Sequence, residues 1–292
     1  MALGLPTTPV AGQQFKTWTW DGVKWTPTKA DRSPRCGRMQ LPAGQSNSNT
    51  MMLVPCNGDQ IKIAGLIYKI PAAGISAVAT ACYIDKVMGA LSPGQWFVYA
   101  FVHATAGLQL SFSRTGRATS TTPGNIGTEI RSGDNTQTLV GIIEASGAAP
   151  NNPSFHDDYT YRHTRSWFNR RHSAAFAVGT VNASVAAHTP LVAVFVVGFA
   201  DDVIAIQGQF VFTATANGNF NPNILINSAT YVGINCSTST PNAGGQYVTA
   251  KSHAVVQSID GRSRVDFTMW VDYGPTGGGS ASVFATLTGP TL

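Results

Sequence analysis

The chain has 292 residues, of which 43% are hydrophobic and 11% charged. An average soluble protein carries about 25% charged residues, so much of this surface is covered by uncharged side chains or by other subunits, whose interface cores exclude charge. The net charge of +5 comes from 19 basic and 14 acidic residues; the basic residues are scattered, which argues against a nucleic-acid partner. The N-terminus lacks the basic and apolar regions of a signal peptide. No run of about 18 apolar residues occurs, so membrane insertion is not expected.

Residues 1–34 read as an extended N-terminal module. Pro6, Pro9, Pro27 and Pro34 prevent a long helix. Within it, Trp18-Thr-Trp-Asp-Gly-Val-Lys-Trp reads as a hairpin, with Asp21-Gly22 as a type I′ turn. Trp18, Trp20 and Trp25 form an aromatic cluster too large for so short a hairpin to bury, and are expected to pack on a neighbour.

Residues 35–147 read as a middle β domain. Asn57-Gly58 is a second hairpin signal, Ile61–Ile70 alternates around Gly65, and Trp96–His103 and Leu139–Glu144 are strong strands. Residues 148–160 read as a linker by their Pro, Asn and Asp content. Residues 161–292 return to strands, at Ala175–Val181, Leu191–Phe199, Val203–Ala214, Ala229–Ile234, Ala254–Ile259, Arg264–Tyr273 and Ser282–Leu287, with Gly274–Ser280 as a flexible loop. Helical periodicity is absent apart from one turn near Thr164–Arg171. The expected fold is therefore all-β, with a C-terminal antiparallel β-sandwich or jelly-roll-like domain.

Three segments resemble bacteriophage tail-fibre and virion appendage proteins (fibre, spike or head-decoration) of α-proteobacterial phages. They are the W-x-W-D-G-x-x-W hairpin at Trp18–Trp25, the Leu53–Gly65, Trp96–Val102 and Ser132–Gly141 stretches, and Thr164-Arg-Ser-Trp-Phe-Asn-Arg-Arg. The resemblance covers most of residues 15–175. It implies a virion protein assembled in the host cytoplasm as a homotrimer, attached to phage tail or capsid proteins through its N-terminus. A tail fibre or receptor-binding appendage contacting a host surface glycan is the first reading. A head fibre or capsid decoration protein is the alternative, and a polysaccharide depolymerase is a third class. In a reducing cytosol Cys36, Cys56, Cys82 and Cys236 are expected reduced and buried; Cys36 and Cys56 pair only if their strands are neighbours.

Chemistry-bearing residues are few. Trp18, Trp20, Asp21, Gly22 and Trp25 are the expected particle-anchoring residues. Arg165, Trp167, Phe168, Asn169, Arg170 and Arg171 are read equally as a subunit interface or as an intrachain lock between domains. His156, Asp157, Asp158 and His163 have ligand chemistry, but their place in a polar linker favours a solvated loop over a metal site. Asp157-Asp158 and Asp201-Asp202 are poor glycosidase pairs, because adjacent strand residues point to opposite faces. No nucleophile elbow or phosphate-binding loop is present. No enzyme activity, metal or cofactor is expected. Asn217–Asn223 and Asn235–Tyr247 are the candidate glycan-binding loops.

Overall fold

The computed structural model describes residues 14–15, 18–20, 23, 25–27, 36–147, 153–158, 160–182, 189–214, 219–227, 230–231, 238–239, 246–271 and 277–288. Among them every regular element is a β-strand, as the all-β expectation requires. The chain divides into two compact units. One comprises Met1–Phe155 with Ser166–Arg170, the other His156–Arg165 with Arg171–Leu292.

The first unit is built on a large sheet whose centre is formed by Gly107–Ser113, Gly94–His103 and Asp134–Ser146. The Gly94–His103 strand pairs antiparallel with both neighbours, Ala100 lying opposite Leu110 and Trp96 opposite Ile143. Trp96, Val98, Ala100, Leu110, Phe112 and Ile143 share one core with Met39, Met51, Leu53 and Ile75 of a three-stranded sheet, Arg38–Gln40, Thr50–Val54 and Ile75–Val78. Phe97, Tyr99 and Phe101, on the other face of the same strand, are also buried, which is why this stretch reads as an unbroken apolar run rather than an alternating one.

The Asn57-Gly58 signal does not close a hairpin. Both residues have positive φ (54° and 114°), yet Thr50–Val54 and Gln60–Ile63 belong to different sheets. The Cys56 carbonyl accepts the Gly37 N–H instead of a ladder partner. The hairpin of this region lies one step later, Gln60–Ile63 with Leu66–Lys69, turning at Ala64-Gly65. In the N-terminal hairpin Trp20 lies opposite Trp25. The expected Asp21-Gly22 turn lies outside the described residues.

The second unit is a double-sheet jelly roll. Its main strands in chain order are Ser173–Asn182, Thr189–Gly198, Val203–Ala214, Asn219–Ile226, Thr230–Tyr231, Gln246–Gln257, Gly261–Val271 and Gly277–Thr288. The first, eighth, third and sixth make one sheet; the second, seventh, fourth and fifth make the core of the other. That interleaved order is two Greek keys wrapped together. Val192, Val194, Val196, Ile224 and Val265 face Ala175, Ile204, Ile206, Ala281, Val283, Ala285 and Leu287 across one apolar core.

The structure departs from the sequence reading at three places. Ser154–His156 is a strand, with Phe155 opposite Ala145 and fully buried, so the 148–160 stretch is not linker throughout. The burial of one Phe outweighs the turn-forming composition around it. Gly277–Ser280 is strand rather than loop, held between two neighbours in the register Asn182, Gly278 and Thr213. The predicted turn near Thr164–Arg171 is a strand, Thr164–Ser166, followed by bends.

Candidate interaction surface

The Arg-Ser-Trp-Phe-Asn-Arg-Arg segment is divided between the two units. In the second, Arg165 is 2% exposed and makes a bidentate pair with Asp202, which is fully buried: Nε donates to Oδ2 at 2.9 Å and Nη2 to Oδ1 at 2.8 Å. The Arg165 Nη1 donates to the Arg171 carbonyl at 2.5 Å. Asp202 also accepts the Phe199 N–H at 2.9 Å, so its carboxylate closes the turn after Thr189–Gly198. This fork geometry needs guanidinium, because lysine offers no second parallel donor. It also commits Asp202 as a structural ion, whereas Asp201 is exposed.

In the first unit Phe168 is buried in the core beside Met39 and Leu53. Asn169 has a positive φ of 52°, which asparagine tolerates better than most residues. From that conformation its Nδ2 donates to the carbonyls of Gly37 and Cys56 at 2.9 and 3.0 Å, and its Oδ1 accepts from Asn57 Nδ2. Trp167 is half-buried between two cations, with Arg170 at 4.3 Å and Arg117 at 4.7 Å from its ring centre. Each such contact contributes roughly 0.5–1 kcal/mol near a surface.

The His156–His163 group is a folded corner of the second unit. The Asp158 Oδ1 accepts the N–H groups of Thr160 and Tyr161, and Asp157 pairs with Arg162 at 3.3 Å. Burial pushes the Asp157 carboxyl up, with Arg162 opposing. The His163 ring is 4% exposed, packs edge-on against Tyr161 and Phe195, and has no hydrogen-bond partner at either nitrogen. Burial holds it neutral down to about 4, helped by the neighbouring His156 and Arg262. Among the described residues no three His, Cys, Asp or Glu side chains are placed to hold a metal ion.

Cys36 and Cys56 are half-buried free thiols rather than buried ones, while Cys82 is buried. Burial pushes the Cys82 thiol up to about 12. Cys236 lies outside the described residues. Trp20 is half-buried and Val23 exposed; the side chains of Trp18 and Trp25 lie outside the described set. The candidate loop Asn217–Asn223 runs into strand Asn219–Ile226, where Asn221, Pro222 and Asn223 sit opposite Trp270, Met269 and Thr268. Most of Asn235–Tyr247 lies outside the described residues.

The feature missed by sequence reasoning is the outward face of the sheet formed by Ser173–Asn182, Gly277–Thr288, Val203–Ala214 and Gln246–Gln257. Inward residues of these strands fill the jelly-roll core, which leaves the alternate set facing solvent. Phe176 and Phe284 lie opposite each other, each 43% exposed. Val178 (60%), Val255 (58%) and Val203 (40%) are also exposed. Between them lie Ala174, Thr180, Ala205, Gln207, Gln209, Ser282, Thr286 and Thr288. The same register places His253 opposite Gln207 and Lys251 opposite Gln209 on this face. The available signal was Ala174-Ala-Phe-Ala-Val-Gly-Thr, a strand apolar on both faces with no charge on either.

No family model and no curated protein matches this chain. Among solved structures, the infectious bursal disease virus Gx strain structure is similar at 10% identity, covering 88% of this chain and 73% of that one, with a TM-score of 0.29. The infectious bursal disease virus VP2 subviral particle is similar at 12% identity, 87% and 72% coverage and a TM-score of 0.30. The insecticidal delta-endotoxin Cry8Ea1 from Bacillus thuringiensis is similar at 8% identity, 86% and 51% coverage and a TM-score of 0.26. Likenesses this slight carry no functional argument.

Proposed function

We propose that the chain is a non-enzymatic structural protein of a bacteriophage particle, held by its N-terminal segment and presenting its C-terminal jelly roll at a surface. Jelly rolls recur in viral capsid and lectin domains, but a fold alone does not assign a function. The observation that carries the reading is the set of exposed apolar side chains on one sheet face of the second unit, Phe176, Phe284, Val178, Val203 and Val255. Monomeric proteins rarely leave large contiguous apolar patches open to water; such patches mark interaction sites. The 11% charge content supports the same reading, as does the resemblance of Trp18–Trp25 and Thr164–Arg171 to appendage proteins.

Within this reading the chain is a tail fibre or receptor-binding appendage, attached to tail proteins and contacting a host surface glycan. The second reading, a head fibre or capsid decoration protein, is favoured by the exposed apolar side chains of that face, which suit packing against a protein lattice more than recognition of a sugar. Particles carrying Trp18→Ala with Trp20→Ala are expected to lack the protein; normal incorporation overturns the anchoring role. Purified protein is expected to compete with adsorption if it is a receptor-binding appendage, and failure to compete moves the assignment to the head. Release of reducing sugar from host polysaccharide would overturn the non-enzymatic role.

A further inference from the structure

We propose that Cys36 and Cys56 are a modification site, joined as a disulfide by reaction with a low-molecular-weight disulfide in oxidising surroundings. The site goes beyond the particle role and does not depend on it. Arg38–Gln40 and Thr50–Val54 are antiparallel neighbours, with Arg38 opposite Val54. Carried outward by two residues, that register sets Cys36 against Cys56. The Gly37 N–H, one residue out of strict register, donates to the Cys56 carbonyl at 3.0 Å, so the two strands are still joined there. Cys36 and Gly37 thus both lie opposite Cys56, as at a β-bulge. Residues opposite each other on antiparallel strands have Cα atoms about 4.5–5.5 Å apart. That separation falls inside the span of about 4.4–6.8 Å that a disulfide bridges.

The surroundings of the thiols favour closure. The Cys36 Sγ donates to the Asn57 carbonyl at 3.2 Å, one residue past Cys56. It fills the space beside Gly58, where an added Cβ would stand 2.5 Å from the sulfur. Asn169 ties the two strand ends together, its Nδ2 donating to the carbonyls of Gly37 and Cys56 at 2.9 and 3.0 Å. The backbone around both thiols is therefore fixed before any bond forms, which holds the reacting groups at high effective concentration. Both thiols are half-buried, and Asn57 and Gly58 beside them are exposed, so a small reagent has access. Cys82 is 3% exposed, and burial pushes its thiol up to about 12, which keeps it protonated and out of exchange. One of the paired cysteines attacks the reagent disulfide as thiolate, forming a mixed disulfide and releasing one reagent thiol. The other attacks the protein sulfur of that mixed disulfide, closing the Cys36–Cys56 bond and releasing the second reagent thiol. The two thiol protons pass to the two reagent thiolates; the protein pair is oxidised and the reagent reduced.

Incubation of the native full chain with oxidised glutathione, followed by alkylation, trypsin and mass spectrometry, tests this. The expected product is Cys36-Gly37-Arg38 linked to Met39–Lys62, two hydrogen atoms lighter than the reduced pair of peptides. Closure is expected to run at least about tenfold faster in native buffer than in urea, because the fold sets the approach of the thiols. The linked chain is expected to melt roughly 6–12 °C higher in its first unit, a rise that dithiothreitol reverses. Cys36→Ser and Cys56→Ser are each expected to abolish the rise. A folded chain in which both cysteines are alkylated after incubation overturns the proposal, as does one that stops at a mixed glutathione disulfide. Equal rates in buffer and urea overturn it too. If the serine variants fail to fold, peptide mapping of the wild type decides. Particles that lack the chain, with the linked peptide formed, remove only the particle role; a particle-borne chain that does not close the bond removes only this inference.

Discussion

Replacing Arg165 with Met removes the guanidinium and leaves Asp202 as an ion in a site where it is fully buried. Both charge-assisted hydrogen bonds, at 2.8 and 2.9 Å, go with it. Breaking a buried pair from one side costs about 3–5 kcal/mol, because the remaining charge keeps its desolvation penalty without its partner. Against a total stability of roughly 5–15 kcal/mol, that loss takes a large share. At roughly 3–4 °C per kcal/mol for a unit of this size, the second unit is expected to melt roughly 10–20 °C lower. Calorimetry with near-ultraviolet circular dichroism reads this out. The double variant Arg165→Met with Asp202→Leu is expected to recover most of the loss, since replacing both partners removes the desolvation penalty with the attraction. A single variant that melts within about 2 °C of wild type refutes the reasoning, as does a double variant no more stable than the single.

His163, Asn169 and Trp167 each carry a further prediction. Folded His163 stays neutral from 6.5 down to about 4, so the unfolded chain binds more protons in that window. Stability therefore falls as pH drops from about 6.5 to about 4, by up to about 3 kcal/mol. His163→Phe is expected to flatten that slope in urea titrations; an unchanged slope contradicts it. Asp157, whose carboxyl is raised by burial, adds stability of opposite slope near the bottom of the window, so the wild-type minus variant difference is the quantity to plot. Asn169→Ala removes donors to the Gly37 and Cys56 carbonyls and puts a Cβ residue without a compensating amide at positive φ; a loss of about 2–3 kcal/mol from the first unit is expected. Asn169→Gly is expected to recover only the backbone part of that loss, and full recovery would show that the side-chain hydrogen bonds contribute nothing. Trp167→Leu removes both cation contacts and is expected to cost about 1–2 kcal/mol in the same unit, checked by denaturant midpoint.

Strand-forming regions were legible because a buried β run announces itself locally. Trp96–His103, Val203–Ala214 and the strands around Ala175 and Leu191 all fall where their β-branched and aromatic residues place them. What could not be read depends on partners distant in sequence. Asn57-Gly58 has the backbone of a hairpin turn but not its pairing, because Gly37 and Asn169 take the neighbouring carbonyl. The Gly277–Ser280 run is central strand because long strands flank it on both sides. Arg165 finds Asp202 37 residues away, a distance no local motif encodes. The outward face of the jelly roll emerges only when four strands spread over more than a hundred residues are laid side by side.

Cryo-electron microscopy of purified particles, with the chain identified by its two β units in the density, shows whether this chain is built into a bacteriophage particle. Multiple copies at fixed positions are expected, with the N-terminal segment on the particle side. Particles fully accounted for by other proteins, with this chain found only free in the lysate, would contradict that role.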